Sequence, residues 1–192
     1  YPANMGAEFS EAIKANSGKL TYGNDGVGGT MQLAAERIFS KAGAKVRAVP
    51  FSGAGETARN FLGGHVDIYG GSLPPILPHV KAGAAKCLLL TSAEGNSALP
   101  QAAGLASVGM ASEETVLWWG LIAPQRTPAT ILERLEKAFT EAAHTERFAK
   151  VMESQGATVR VRGSAETTAM IRSEIEALGS IARAVGIEKR AQ

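Results

Sequence analysis

Two apolar periods alternate along the first half of the chain. Phe9, Ala12 and Ile13 share one face of a short helix that stops near Asn16-Ser17-Gly18. Residues 20–22 read as a strand end. A glycine-rich turn follows, and Met31, Ala34, Ala35 and Ile38 then fall on one helical face that runs to Gly43. Residues 46–50 form the next strand, and Ser52-Gly53-Ala54-Gly55 turns into a helix with Ala58, Phe61 and Leu62 inward. Gly63-Gly64 ends it, residues 65–69 form a short strand, and Pro74-Pro75 opens a helix carrying Ile76, Leu77 and Val80. Residues 86–91 read as a buried strand. Helix and strand alternating with short turns predict an α/β fold, a parallel-rich sheet with flanking helices.

The second half differs. Residues 93–112 are rich in Ala, Gly and Ser and predict an ordered loop with one short helix. Residues 116–123 predict a strong strand. In it Trp118 and Trp119 are expected to pack at the hinge between lobes, with one of them on the cleft wall as the alternative to the usual core place of aromatics in an apolar strand. Pro124 and Pro128 bracket a turn into a helix lined by Ile131, Leu132, Leu135, Ala138, Phe139 and Ala142. A helix with Phe148, Val151 and Met152 follows, then a short strand at 157–161. Ser164 is expected to cap a last long helix with Ile171, Ile175, Leu178, Ala182 and Val185 inward. The change of character near 116–124 marks the candidate boundary between two lobes.

Composition narrows the classes. The 192 residues suit one large or two small domains, and 45% hydrophobic with 20% charged residues is ordinary for a globular protein. A net charge of +2, with Lys and Arg scattered and no aromatic interleaving, leaves no nucleic-acid footprint. No apolar run approaches the roughly 18 residues a membrane span needs. The chain opens at Tyr1 without a basic n-region or an h-region, which reads as a processed or truncated product. The lone Cys87 sits among apolar neighbours and reads as structural filler. His65, His79 and His144 have no partners at metal-ligand spacing, so no metal and no cofactor are expected. Ser72 does not sit in G-x-S-x-G, and no catalytic residue is assigned.

The chemistry concentrates in Gly23-Asn24-Asp25-Gly26-Val27-Gly28-Gly29-Thr30. A strand, a glycine turn and a helix leave the first helical N–H groups unpaired, and with the helix dipole they favour an anion by about 0.3–1 kcal/mol, or ~2 when partly buried. Gly23 and Gly28 fit the start of G-x-x-x-x-G-K-[ST], but Gly29 stands where the lysine belongs. The dinucleotide pattern G-x-G-x-x-G fails too, with Met31 in place of its third glycine. The bland alternative is that the glycines only let the helix pack closely on the sheet, with Thr30 an ordinary N-cap. Ser52 and Gly53 occupy a second small-residue turn at the same sheet edge, for ligand binding or for the turn alone. Asp67 either accepts a hydrogen bond from a ligand amine or fixes the backbone at a strand start.

Several segments together resemble one family. They are the 23–39 loop and helix, Val49-Pro50-Phe51-Ser52-Gly53-Ala54-Gly55, and Leu62-Gly63-Gly64-His65-Val66-Asp67. Leu77-Pro78-His79-Val80-Lys81-Ala82-Gly83, Leu90-Thr91-Ser92 and Trp119-Gly120-Leu121-Ile122-Ala123-Pro124 continue the series in order. The chain is similar over nearly its whole length to the Bug-type solute-binding receptors of tripartite tricarboxylate transporters. That resemblance implies a type II periplasmic-binding-protein-like fold whose two lobes close on a small carboxylate, a di- or tricarboxylate or an amino acid. It implies a periplasmic receptor that feeds a membrane permease and is not an enzyme.

By the resemblance, residues 1–118 correspond to the second, ligand-loop lobe and 119–192 to the hinge return and C-terminal helical part of the first. The first lobe is expected to be incomplete at its N-terminal side, with self-association through it an open outcome. Asn24, Asp25, Gly26, Gly28, Gly29, Thr30, Ser52, Gly53 and Asp67 are the candidate ligand-binding residues. Asp25 and Gln32 depart from the family, whose members commonly show a small polar residue and His there. A carboxylate at Asp25 would repel an anionic ligand by about 1 kcal/mol at 4 Å in water, which favours an amine-bearing or less charged ligand unless Asp25 points to solvent or caps the turn. A phosphate- or nucleotide-binding α/β enzyme using the 26–30 turn is the alternative from another class.

Overall fold

The computed structural model describes residues 6–187. Helix α1 (Gly6–Ala15) leads into strand β1 (Thr21–Asn24), helix α2 (Thr30–Lys41), β2 (Arg47–Pro50), α3 (Ala54–Leu62), β3 (Ile68–Gly70) and α4 (Leu73–Lys81). The three strands are parallel in the order β2-β1-β3. Tyr22 pairs with Ala48 on one side and Ile68 on the other, and Asn24 with Pro50 and Gly70. The two crossovers run in opposite directions from the first strands, so right-handed connections put α2 and α3 on opposite faces.

Each face has its own core. Phe9, Ile13, Tyr22, Ile38, Phe39, Leu105 and Met110 bury together on one side, and Tyr22 meets Phe39 edge-to-face at 5.1 Å. Ala58, Ile76, Leu77, Val80, Leu99 and Ala102 fill the other. The 93–112 segment carries two short 3-10 turns, Leu105–Val108 and Ala111–Glu113. They supply Leu105 and Met110 to the first core and are held by Arg37, which donates to the Ser112 carbonyl and pairs with Glu113 at 3.3 Å.

Helices α5 (Ala129–Ala143), α6 (Glu146–Ser154) and α7 (Ser164–Ala184) form as the apolar spacing predicts, but none of their residues is buried. Periodicity shows which face seeks a partner; it cannot supply one, and among the described residues no apolar side chain of α5 or α6 is buried. Helix α7 does pack on α2. Trp118 Nε1 donates to Glu174 Oε2 at 2.9 Å, and Asn96 Nδ2 donates to the Gly156 carbonyl at 2.8 Å, tying the two halves together.

Three expected strands are absent as ladders. Residues 86–91 make only a parallel bridge, Leu89 to Ala103, and 157–161 make none. Residues 116–123 run extended with no backbone hydrogen bond to any other described residue. Trp119 is 73% exposed and Ile122 96% exposed, so this segment is not a core strand, and Trp118 is tied to α7 through Glu174. β-Propensity measures fit to a pleated, half-buried surface, and a strand needs a neighbour to become one.

Leu105 is fully buried where the 3-10 turn meets α1 and the sheet. Leu105→Ala is expected to cost about 2–5 kcal/mol in a urea unfolding titration.

Candidate functional site

In a parallel sheet the strand ends that lead into helices all lie on one edge, and ligands settle where the strand order switches direction. Here that place is the C-terminal edge of β1, flanked by the ends of β2 and β3. The loop after β1 is shaped by Gly26 and Gly28, whose φ values of 131° and 75° a side chain would resist. Gly26 N–H donates to Asn24 Oδ1 at 3.1 Å, Gly29 N–H to the Gly26 carbonyl at 3.2 Å, and Gly28 N–H to Gln32 Oε1 at 2.7 Å. Gln32 thus folds back to hold the loop, a role missed in reading the sequence because only the loop's curvature brings the two together.

Gly29, not Thr30, is the N-cap of α2, and with no side chain it cannot cap the free N–H groups. Among the described residues the backbone N–H groups of Thr30, Met31 and Gln32 find no acceptor. Two side-chain atoms in the loop are also buried without partners: Asn24 Nδ2, on a residue with no exposed surface, and Asp25 Oδ1. The Asp25 oxygen lies against the helix start, 3.4 Å from where a Cβ on Gly29 would stand. A buried donor and a buried acceptor left without partners are each costly unless something else satisfies them.

The neighbouring turns frame this loop. Phe51 N–H donates to the Asn24 carbonyl at 2.9 Å, and Thr57 Oγ1 donates to it at 3.1 Å, so the 50–54 turn is locked to the end of β1. Ser52 is committed locally: its N–H donates to Glu56 Oε2 at 2.8 Å and its hydroxyl bonds the same oxygen. Those two bonds hold the Glu56 carboxyl below the usual range. Gly53 caps α3 in extended backbone. On the β3 side, Tyr69 donates its hydroxyl to the Ser72 carbonyl at 2.8 Å. Burial first, and then the Asp25 charge, push its phenol up to about 12, which keeps it a neutral donor.

Asn24, Asp25, Gly26, Gly28, Gly29 and Thr30 therefore gather at one edge, with Ser52 and Gly53 beside them. Asp67 does not join them. It precedes β3 at the opposite edge, where one carboxylate oxygen accepts the N–H and the hydroxyl of Thr21, each at 2.8 Å. Its place is the strand start, the second of the two roles open to it from sequence. Elsewhere, burial pushes the Cys87 thiol up to about 11, far from a thiolate nucleophile. Among the described residues no group of three or more His, Cys, Asp or Glu side chains is placed to hold a metal, and no helix is long and apolar enough to cross a membrane.

The fold is that of the periplasmic binding proteins. Rpa4515 of R. palustris, solved with adipate, superposes with a TM-score of 0.84 over 96% of this chain at 23% identity. MatC from Rhodopseudomonas palustris, solved with malate, superposes with a TM-score of 0.76 over 94% at 21% identity. The profile of the tripartite tricarboxylate transporter family receptor matches residues 1–187, and the chain belongs to that family. Protein BugT of Bordetella pertussis is 24% identical over 173 residues, 90% of this chain. The chain spans 53% of the length of BugT and 62% of each of the two solved chains.

The two roles of Asp67 separate in solution. Asp67→Ala is expected to lower stability by about 1 kcal/mol through loss of the Thr21 bonds. Ligand affinity, read by calorimetric titration, should stay at its starting value; a fall of tenfold or more would return Asp67 to the site.

Proposed function

We propose that the chain is the ligand-loop part of an extracytoplasmic solute-binding receptor. It captures a small carboxylate for a tripartite tricarboxylate transporter. The observation that carries this reading is the α2 helix start, with three unpartnered N–H groups at the switch point of the sheet and the orphaned Asn24 amide beside them. Those groups are donors without a fixed acceptor, which is what a carboxylate supplies. The family supports the reading, and so do the adipate and malate that two fold relatives hold.

In this reading Thr30, Met31 and Gln32 offer backbone N–H groups and Asn24 offers its amide, while the N–H groups of Gly26, Gly28 and Gly29 are spent on holding the loop. The 52–53 turn walls the neighbouring side. Residues 119–192 return the chain through the hinge, and closure of a second lobe excludes water from the ligand. The work is capture and release in the periplasm, with a membrane permease as the receiving partner and no bond made or broken. A phosphate or nucleotide is disfavoured, because the 24–30, 50–55 and 70–75 segments contain no Lys or Arg to offset its charge.

A thermal-shift panel of mono-, di- and tricarboxylates, amino acids and nucleotides tests this. A carboxylate at a hundred times its dissociation constant adds about 2.7 kcal/mol, which at this size is a rise in Tm of roughly 5–10 °C. A rise with nucleotide alone would overturn the receptor reading. Gly29→Val places a side chain 3.2 Å from the Gly26 carbonyl, between Asp25 and the helix start. Its circular dichroism should match the parent while carboxylate affinity drops by more than tenfold; unchanged affinity would remove the α2 start from the site.

A further inference from the structure

We infer that Glu36 is a positioning residue for ligand capture, acting on the glycine loop through Tyr22 and Gln32. The inference rests on the receptor reading above and adds to it the side chains that set the loop's shape.

These residues form a polar line beside α2. Gly28, Gln32 and Glu36 are spaced by four, so they follow one another along the helix entry and one helical face. Tyr22 reaches into that line from β1. Its hydroxyl donates to Glu36 Oε1 at 2.6 Å, and Gln32 Oε1 accepts the Gly28 N–H at 2.7 Å. Burial and then Glu36 raise the Tyr22 phenol far above its ordinary value, while a hydrogen bond from Gln32 pulls it the other way. A hydrogen bond that favours the phenolate is one that the phenol oxygen accepts. Every donor in the line therefore points toward Glu36: Gly28 N–H to Gln32, the Gln32 amide to Tyr22, and Tyr22 O–H to the carboxylate.

Glu36 fixes that sense. A carboxylate only accepts, so the Tyr22 O–H is committed to it and the phenol oxygen is left to accept from Gln32. The Gln32 side chain must then turn its NH2 to Tyr22 and its oxygen to Gly28. With an amide at position 36 either sense is open, and the reversed one sets the Gln32 NH2 against the Gly28 N–H. Water has little access to repair this, because Tyr22 has no exposed surface and Gln32 keeps 7%. Phe39 packs edge-to-face on the same ring. A polar line in such surroundings holds its members firmly only when each is satisfied. Held this way, Gly28 keeps its φ of 75°, and the N–H groups of Thr30, Met31 and Gln32 stay open to a ligand.

The test reads the loop and the ligand separately on the intact protein. With isotope-labelled glycine, hydrogen exchange at the Gly28 amide should speed up at least tenfold in Glu36→Gln and in Tyr22→Phe. Calorimetric titration with malate, adipate, succinate and citrate should show the acid that the parent binds best held at least fivefold more weakly by both variants. Glu36→Gln added to Gln32→Ala should cost no affinity beyond Gln32→Ala alone, since the line is already cut. Leu105→Ala, which weakens the same core without touching the line, should change neither reading. Exchange at the parent rate in both variants overturns the inference and leaves the receptor reading, which the parent's own binding decides. Faster exchange with unchanged affinity overturns it too. If none of the four acids binds the parent, the inference falls together with the carboxylate reading.

Discussion

Strand β1 is hydrogen-bonded on both sides, and the position of every turn at the candidate site follows from that pairing. With β2 on one flank and β3 on the other, the turns after all three strands open on the same edge. The register then places Asn24 level with Pro50 and Gly70. The Asn24 carbonyl takes hydrogen bonds from both Phe51 and Thr57, so its backbone is fully used while its side chain is turned into the loop. A one-residue slip would carry the loop away from its neighbours and reverse the faces of Tyr22 and Gly23.

Around this strand the molecule divides into a part that is internally satisfied and a part that is not. The sheet, α1 to α4 and the 93–112 segment close two cores, with Arg37 and Glu113 locking the last segment in place. Beyond residue 115 the extended segment and the apolar stripes of α5 and α6 lie largely in solvent. Helix α7 bridges the two through its packing on α2, and Ile187, just past its end, lies against Gly28 of the loop.

The candidate site has little chemical machinery and much backbone. Its donors are main-chain N–H groups and one amide, and its single charge is Asp25. Donors of that kind act through preorganised dipoles, and the family to which the chain belongs is one of transporter receptors. Tyr22 fits the same pattern: burial, then its hydrogen bond to Glu36, drive its phenol far above the ordinary value, so it stays a neutral structural donor beneath the loop.

The amino-acid pattern by itself determined the alternation from α1 to α4, the glycine loop at a helix start and the family, because period, turn residues and motif order are local properties of the chain. The amphipathic stripes of α5, α6 and α7 were equally legible, for the same reason. Only the tertiary structure decided that Asp67 lies at the far edge, that Ser52 is committed to Glu56 and that Asn24 and Asp25 each keep an orphaned atom. It also decided that 116–123 is not a strand. Each of these depends on which groups come within hydrogen-bond reach across the fold. Sequence spacing cannot report that distance, since strand register and helix packing set it between residues far apart in the chain.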